Sequence, residues 1–257
     1  MRRSQSPFGV EPLESRVHFS TAYNLATLLC YNKLGASWNY NAKDTFSTSL
    51  AGPTNTTGST KVTVGTAKQK VNKIACYVIK AVATSMNLSS AWFNNSTGTF
   101  IGRVSRSATG LSMTATLSDT QVAPKSMYVG KAYKDTGTFT GTFSVKYGGA
   151  TYTGTMKGTT STSSKLLGNQ SIKVPAGKFT AMKGAYNVTL NGSVSLKIAG
   201  DTYTGTVADS QSVTFWAVPN VGMVSGQDVL SENYSAAGQS VWVKLNGTDS
   251  LKTYKIP

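Results

Sequence analysis

From residue 31 onward, apolar and polar residues alternate in short runs, and this two-residue period constrains the chain more than any other feature. Successive side chains on a strand point to opposite faces, so such runs build half-buried β-strands. Tyr186–Leu190, Val194–Ile198, Leu111–Leu117 and Val241–Leu245 all carry the pattern. They are rich in Thr, Val and Tyr, which suit a pleated surface. A helix fits only residues 22–31, where Leu25, Leu28 and Leu29 share one face behind Thr21 as a cap. The expected fold is all-β: mainly antiparallel curved sheets forming a sandwich or a clam-like half-barrel, with at most one or two short helices.

Turn residues divide the strands. Gly148-Gly149 separates Phe143–Tyr147 from Thr151–Thr155, and Asn191-Gly192 separates Tyr186–Leu190 from Val194–Ile198. Both dipeptides tolerate positive φ and predict two-residue hairpin turns. Ser144–Thr155 also aligns with Ser195–Thr206 at an offset of 51 residues. Beneath this lies a longer repeat of order and type. Lys43-Asp44-Thr45 is echoed by Lys134-Asp135-Thr136, and Ala91-Trp92-Phe93 by Phe215-Trp216-Ala217. The chain therefore divides into a distinct segment 1–20, a first repeat over 28–123 and a second, longer repeat over 124–257.

The charge is lopsided. The 257 residues carry 25 basic and 10 acidic side chains, for a net charge of +15. Twenty of the basic residues are lysines, scattered at strand-like intervals without a dense run. Lysine is a point charge, whereas arginine is the better bidentate reader of bases and phosphates. The pattern suits diffuse attraction to an anionic polymer or surface rather than specific nucleic-acid recognition. The single histidine, His18, nearly excludes histidine-based catalysis and His-rich metal sites. The acids beyond residue 20 read mostly as turn formers, and their spacing matches no calcium loop. No catalytic residue, cofactor or metal ligand is expected. No apolar run reaches the length of a membrane span. Cys30 and Cys76 lie outside any CxxC pair. They could pair in an oxidising compartment or stay as buried thiols.

Two sets of motifs carry resemblances. The segment Phe8–Ser20 resembles the N-terminal sorting motif of planctomycete-type surface proteins, through Glu11, Pro12, Leu13, Glu14 and Arg16, with Ser20 behind them. Ser15 stands where that motif has a second proline. The likeness implies export to the cell surface or beyond. Tyr31–Tyr40, Val174-Pro175-Ala176-Gly177-Lys178-Phe179 and Phe215–Val224 resemble, in that order, phrases of a family of secreted bacterial β-proteins of unknown function. Such proteins are similar to lipoprotein carriers, in which a curved sheet holds an apolar concavity. The resemblance implies no catalytic residue.

The physical sense of these phrases stands apart from the resemblance. Pro175 cannot donate to a central ladder, so Val174–Gly177 should turn the chain, and Pro219 with Gly222 should do the same after an aromatic strand. The tryptophans are expected to anchor a core, with Trp38, Trp92 and Trp216 as candidates to contact a ligand. The leading expectation is a non-enzymatic, exported, surface-associated protein that binds a lipid-like apolar or amphipathic ligand. The alternative is a structural or adhesive surface component that holds an anionic polysaccharide through its lysines.

Overall fold

The computed structural model describes residues 21–49, 51–71, 73–84, 88–95, 100–108, 111–118, 123–147, 149–198, 201–236 and 238–257. The segment that resembles a sorting motif lies outside the described residues. Among the described residues, a single helical turn, α1 (Leu25–Leu28), precedes thirteen strands. These are β1 (Ser37–Thr48), β2 (Ala51–Val64), β3 (Gln69–Val71), β4 (Ile74–Ala83), β5 (Leu88–Asn95), β6 (Phe100–Ala108) and β7 (Leu111–Ser118). Six long strands follow: β8 (Ala132–Tyr147), β9 (Ala150–Val174), β10 (Gly177–Ile198), β11 (Asp201–Val218), β12 (Gly222–Ala236) and β13 (Gln239–Lys255).

All thirteen strands belong to one antiparallel sheet. From β3 to β13 each strand pairs with the next in sequence, and β13 then pairs with β1 and β1 with β2. β2 also pairs with β4 from Thr60 opposite Ala83 to Val64 opposite Ile79. The two ends of the sheet thus meet along a short seam. Along Ala51–Gly58, β2 has no ladder on that side among the described residues, so the sheet is not closed along its length. The architecture is a curled half-barrel and not a two-sheet sandwich.

The curl is tight. Phe143 on β8 stacks on Tyr234 on β12, with ring centroids 5.4 Å apart, although three strands separate them in the sheet. Around this stack Met113, Phe139, Met156, Leu190, Val194 and Val207 form one apolar cluster. A second, larger cluster fills the other end, where α1 and the segment behind it plug the interior. Leu25, Leu28 and Leu29 are buried there, as the helical spacing predicts. The helix itself is shorter than expected and its cap is Asn24 rather than Thr21. The Asn24 side chain accepts from the Thr27 N–H at 3.0 Å, satisfying a backbone donor at the helix start.

Both proline-bearing phrases turn the chain as predicted, and both turns seal this plugged end. Pro175 and Ala176 link β9 to β10, and the Ala176 N–H donates to the Leu251 carbonyl at 3.0 Å. Between β11 and β12, Asn220 takes a positive φ of 62° and Gly222 one of 92°. The Trp38 indole N–H donates to the Val221 carbonyl of that turn at 2.6 Å. A Cβ on Gly222 would come within 2.9 Å of the Trp38 ring nitrogen, so glycine lets the turn lie against the indole.

The hairpins repeated at an offset of 51 share one register. Tyr147 pairs with Ala150 and Val145 with Tyr152, as Ile198 pairs with Asp201 and Leu196 with Tyr203. The hairpin expected at Asn191-Gly192 does not form. Both residues lie within β10, paired with Thr159 and Gly158 on one side and with Ala208 and Val207 on the other. Two continuous ladders outweigh a local turn preference. A Cβ on Gly192 would run into the Lys157 carbonyl and the Gly158 Cα, so this glycine serves close approach and not a turn.

Candidate functional site

The curled sheet sorts charge between its faces. Nineteen of the twenty lysines are exposed, and the remaining one, Lys183, is half-buried. Six of the eight acids beyond residue 20 face inward: Asp44, Asp135, Asp209, Asp228, Glu232 and Asp249. Asp201 is exposed at a hairpin tip, and Asp119 lies outside the described residues. The expectation that these acids mostly form turns is therefore corrected. The six inward acids all sit within strands, at positions of the same parity as their buried apolar neighbours.

The inward acids occupy a polar belt between the two apolar clusters. Asp209 and Glu232 are directly opposed on β11 and β12 and are 5% and 3% exposed. Thr160, Thr162 and Ser164 of β9 are also buried. Farther round, Gly247 of β13 pairs with Asp44 of β1 on one side and with Asp228 of β12 on the other. Asp249 lies two residues along the same face of β13. Gln211 donates through Nε2 to both carboxylate oxygens of Asp228, at 3.0 and 3.2 Å. Burial pushes the Asp249 carboxyl up to about 7, the charges of Asp44 and Asp228 add to the rise, and a Thr60 hydrogen bond partly opposes it. The Asp249 Oδ1 is buried without a hydrogen-bond partner. Among the described residues, no three His, Cys, Asp or Glu side chains converge in a way that could hold a metal ion.

The predicted site residues scatter. Trp38 is fully buried in the large cluster, edge-on to Tyr31 at 6.1 Å. Trp216 pairs across strands with Lys183 on the outer face of β11, opposite in parity to buried Phe215 and Ala217. The Lys183 Nζ lies 5.1 Å from the Trp216 ring centroid, and the indole N–H donates to the Gln170 amide oxygen at 3.0 Å. Trp216 packs half-buried against the cluster that encloses Trp38, so the two rings differ in exposure. Trp92 falls in β5, whose side chains lie outside what the structure describes. Cys30 and Cys76 are both buried thiols with no disulfide between them. Burial raises the Cys30 thiol above its usual range, and Lys33 partly offsets the rise.

The acids of the belt escaped sequence reasoning, although their spacing held the signal. In Val224-x-Gly226-x-Asp228-x-Leu230-x-Glu232-x-Tyr234 the acids keep step with the apolar positions, and so does Asp209 in Val207-x-Asp209-x-Gln211-x-Val213-x-Phe215. Among the described residues, no helix is long and apolar enough to cross a membrane.

No family model matches the chain, and no curated protein does. Two crystal structures are similar to it. One is a presumed lipoprotein from Parabacteroides distasonis, 13% identical, with a TM-score of 0.30 over 87% of this chain and 96% of the other. The second is a presumed exported protein with a YmcC-like fold from Bacteroides fragilis, also 13% identical, with a TM-score of 0.32 over 87% of this chain and 97% of the other.

Proposed function

We propose that this protein is an exported, non-enzymatic surface component that holds an anionic polymer against its outer face. The sorting of charge carries this reading: the lysines line the outside while most of the acids turn inward. An approaching polyanion meets a more uniformly positive surface than the net charge of +15 alone conveys. Lysines spread along strands suit a flexible chain of repeating charges, which gains from many weak contacts. The N-terminal likeness to a sorting motif supports export.

A carrier for an apolar ligand would need an open apolar concavity. Here the inner face is packed at both ends, and its middle bears carboxylates. The geometry therefore favours the outer face as the binding surface.

The test is equilibrium binding of the full chain to a polyuronate and to an uncharged glucan of similar length, at rising ionic strength. Binding of the polyuronate alone, weakening steeply as salt screens the lysines, is the expected result. Equal binding of both glycans, insensitive to salt, would sink the proposal.

A further inference from the structure

The outer face of β7–β11 carries more than charge. The pairing registers place polar side chains of five adjacent strands in continuous rows. One row runs Thr114, Thr142, Thr155, Ser195 and Thr204. The next runs Thr116, Thr140, Lys157, Ser193 and Thr206. A third, over β8–β10, runs Thr138, Thr159 and Asn191, and is broken on β11 by Ala208. A fourth, over β8–β11, runs Thr136, Ser161, Thr189 and Ser210. Neighbours within a row stand about 4.8 Å apart, and rows are separated by roughly 6.8 Å, two residues along a strand. None of the side chains whose exposure is described in these rows is buried, and no acid interrupts the rows. Lys134 stands one row beyond the fourth and Lys165 two rows beyond it, and Lys157 lies within the field.

We infer that this hydroxyl and amide field is the binding site for an acidic polysaccharide, with its hydroxyls meeting sugar hydroxyls and its lysines meeting carboxylate or sulfate groups. The inference rests on the polyanion reading above and locates it. Complementary charge selects the partner's sign. The field selects its chemistry, because a flat array of short donors and acceptors matches a chain that presents hydroxyls along its length. Bases offer aromatic faces instead, and the described part of the field presents no ring for them to stack on.

Three variants of the full chain, each checked for its melting temperature, test this against a polyuronate. Replacing Thr140, Thr155, Thr204 and Thr206 with valine keeps shape and strand preference but removes four hydroxyls. It should weaken binding roughly tenfold or more while leaving the salt dependence unchanged. Changing Lys134, Lys157 and Lys165 to alanine should weaken binding comparably and flatten the salt dependence. Changing Lys43, Lys61 and Lys80 to alanine, on β1, β2 and β4, should alter binding less than about twofold. If the valine set does not fold, the contrast between the two lysine sets decides alone. Equal losses from both lysine sets, with no loss from the valine set, would overturn the located site and leave the polyanion reading standing. Failure of the unaltered protein to bind polyuronate at low salt would overturn both. Tighter binding of a DNA duplex of matched charge would overturn the choice of polysaccharide.

Discussion

On the inner side of β11, Val207, Asp209, Val213, Phe215 and Ala217 are buried, whereas on its outer side Thr206, Ala208 and Ser212 are exposed and Trp216 is half-buried. The same contrast runs through β12 and β13. Inward positions are closely fitted, hold most of the acids and tie distant strands together, as the Phe143–Tyr234 stack does. Outward positions carry the lysines and the hydroxyls, and most touch only their neighbours along and across the strands. The inner face determines whether the chain keeps its curl. The outer face can vary more freely, because most of its side chains lie outside the packed interior.

The largest test of this contrast lies at the plugged end. Trp38→Ala should cost about 3–5 kcal/mol in denaturant unfolding, since it empties a fully buried site and strips the Val221 carbonyl of its donor. A cost below about 1 kcal/mol would mean that the plug does not hold the curl.

Asp249 tests the charged part of the interior. Its folded carboxyl titrates near 7, well above the usual carboxylate range. Between about pH 4 and 7 the folded chain keeps a proton that the unfolded chain has released, so stability should fall as pH rises through that window. Above it both states are ionised and the loss levels off. Asp249→Asn should remove much of this slope and raise stability at pH 8 by ~2–4 kcal/mol, with little change near pH 4. Thermal melts across the pH range check both the sign and the window.

A smaller inward effect is expected at Gly192. Gly192→Ala should cost roughly 1–3 kcal/mol, because the added methyl meets backbone that two ladders hold in place. Smallest is the outward pair: Lys183→Ala should change stability by less than about 1 kcal/mol, because a half-exposed cation over a ring contributes little. If Lys183→Ala cost as much as Gly192→Ala, the division between the faces would fail on β10, which holds both residues.

Much of the fold was legible because strand alternation is a local property. The strand-rich character, the Gly148-Gly149 hairpin, the turns at Pro175 and Pro219 and the buried face of α1 all follow from near neighbours in the chain. Asn191-Gly192 misled for the same reason. Its local preference for a turn is real, but β9 and β11 pair on either side and hold it extended. The acids misled in a similar way. An aspartate beside serine suits a turn when judged by its neighbours, yet Asp209 and Asp249 share a face with residues buried only by the curl. The scatter of the tryptophans was also out of reach, because the face that each ring takes depends on the parity of a strand whose inner side the fold alone defines.

That this chain is all-β and basic, with lysines spread rather than clustered, was readable residue by residue. Those are properties of composition and of a two-residue period. Which side of each strand became the interior was settled by the packed sheet, and with it that most acids face inward, lysines face outward and hydroxyls from five strands fall into rows. The physical reason is that register is set by pairing between residues far apart in the chain. A shift of one residue would exchange the two faces, and only the packing of the whole curled sheet forbids that shift.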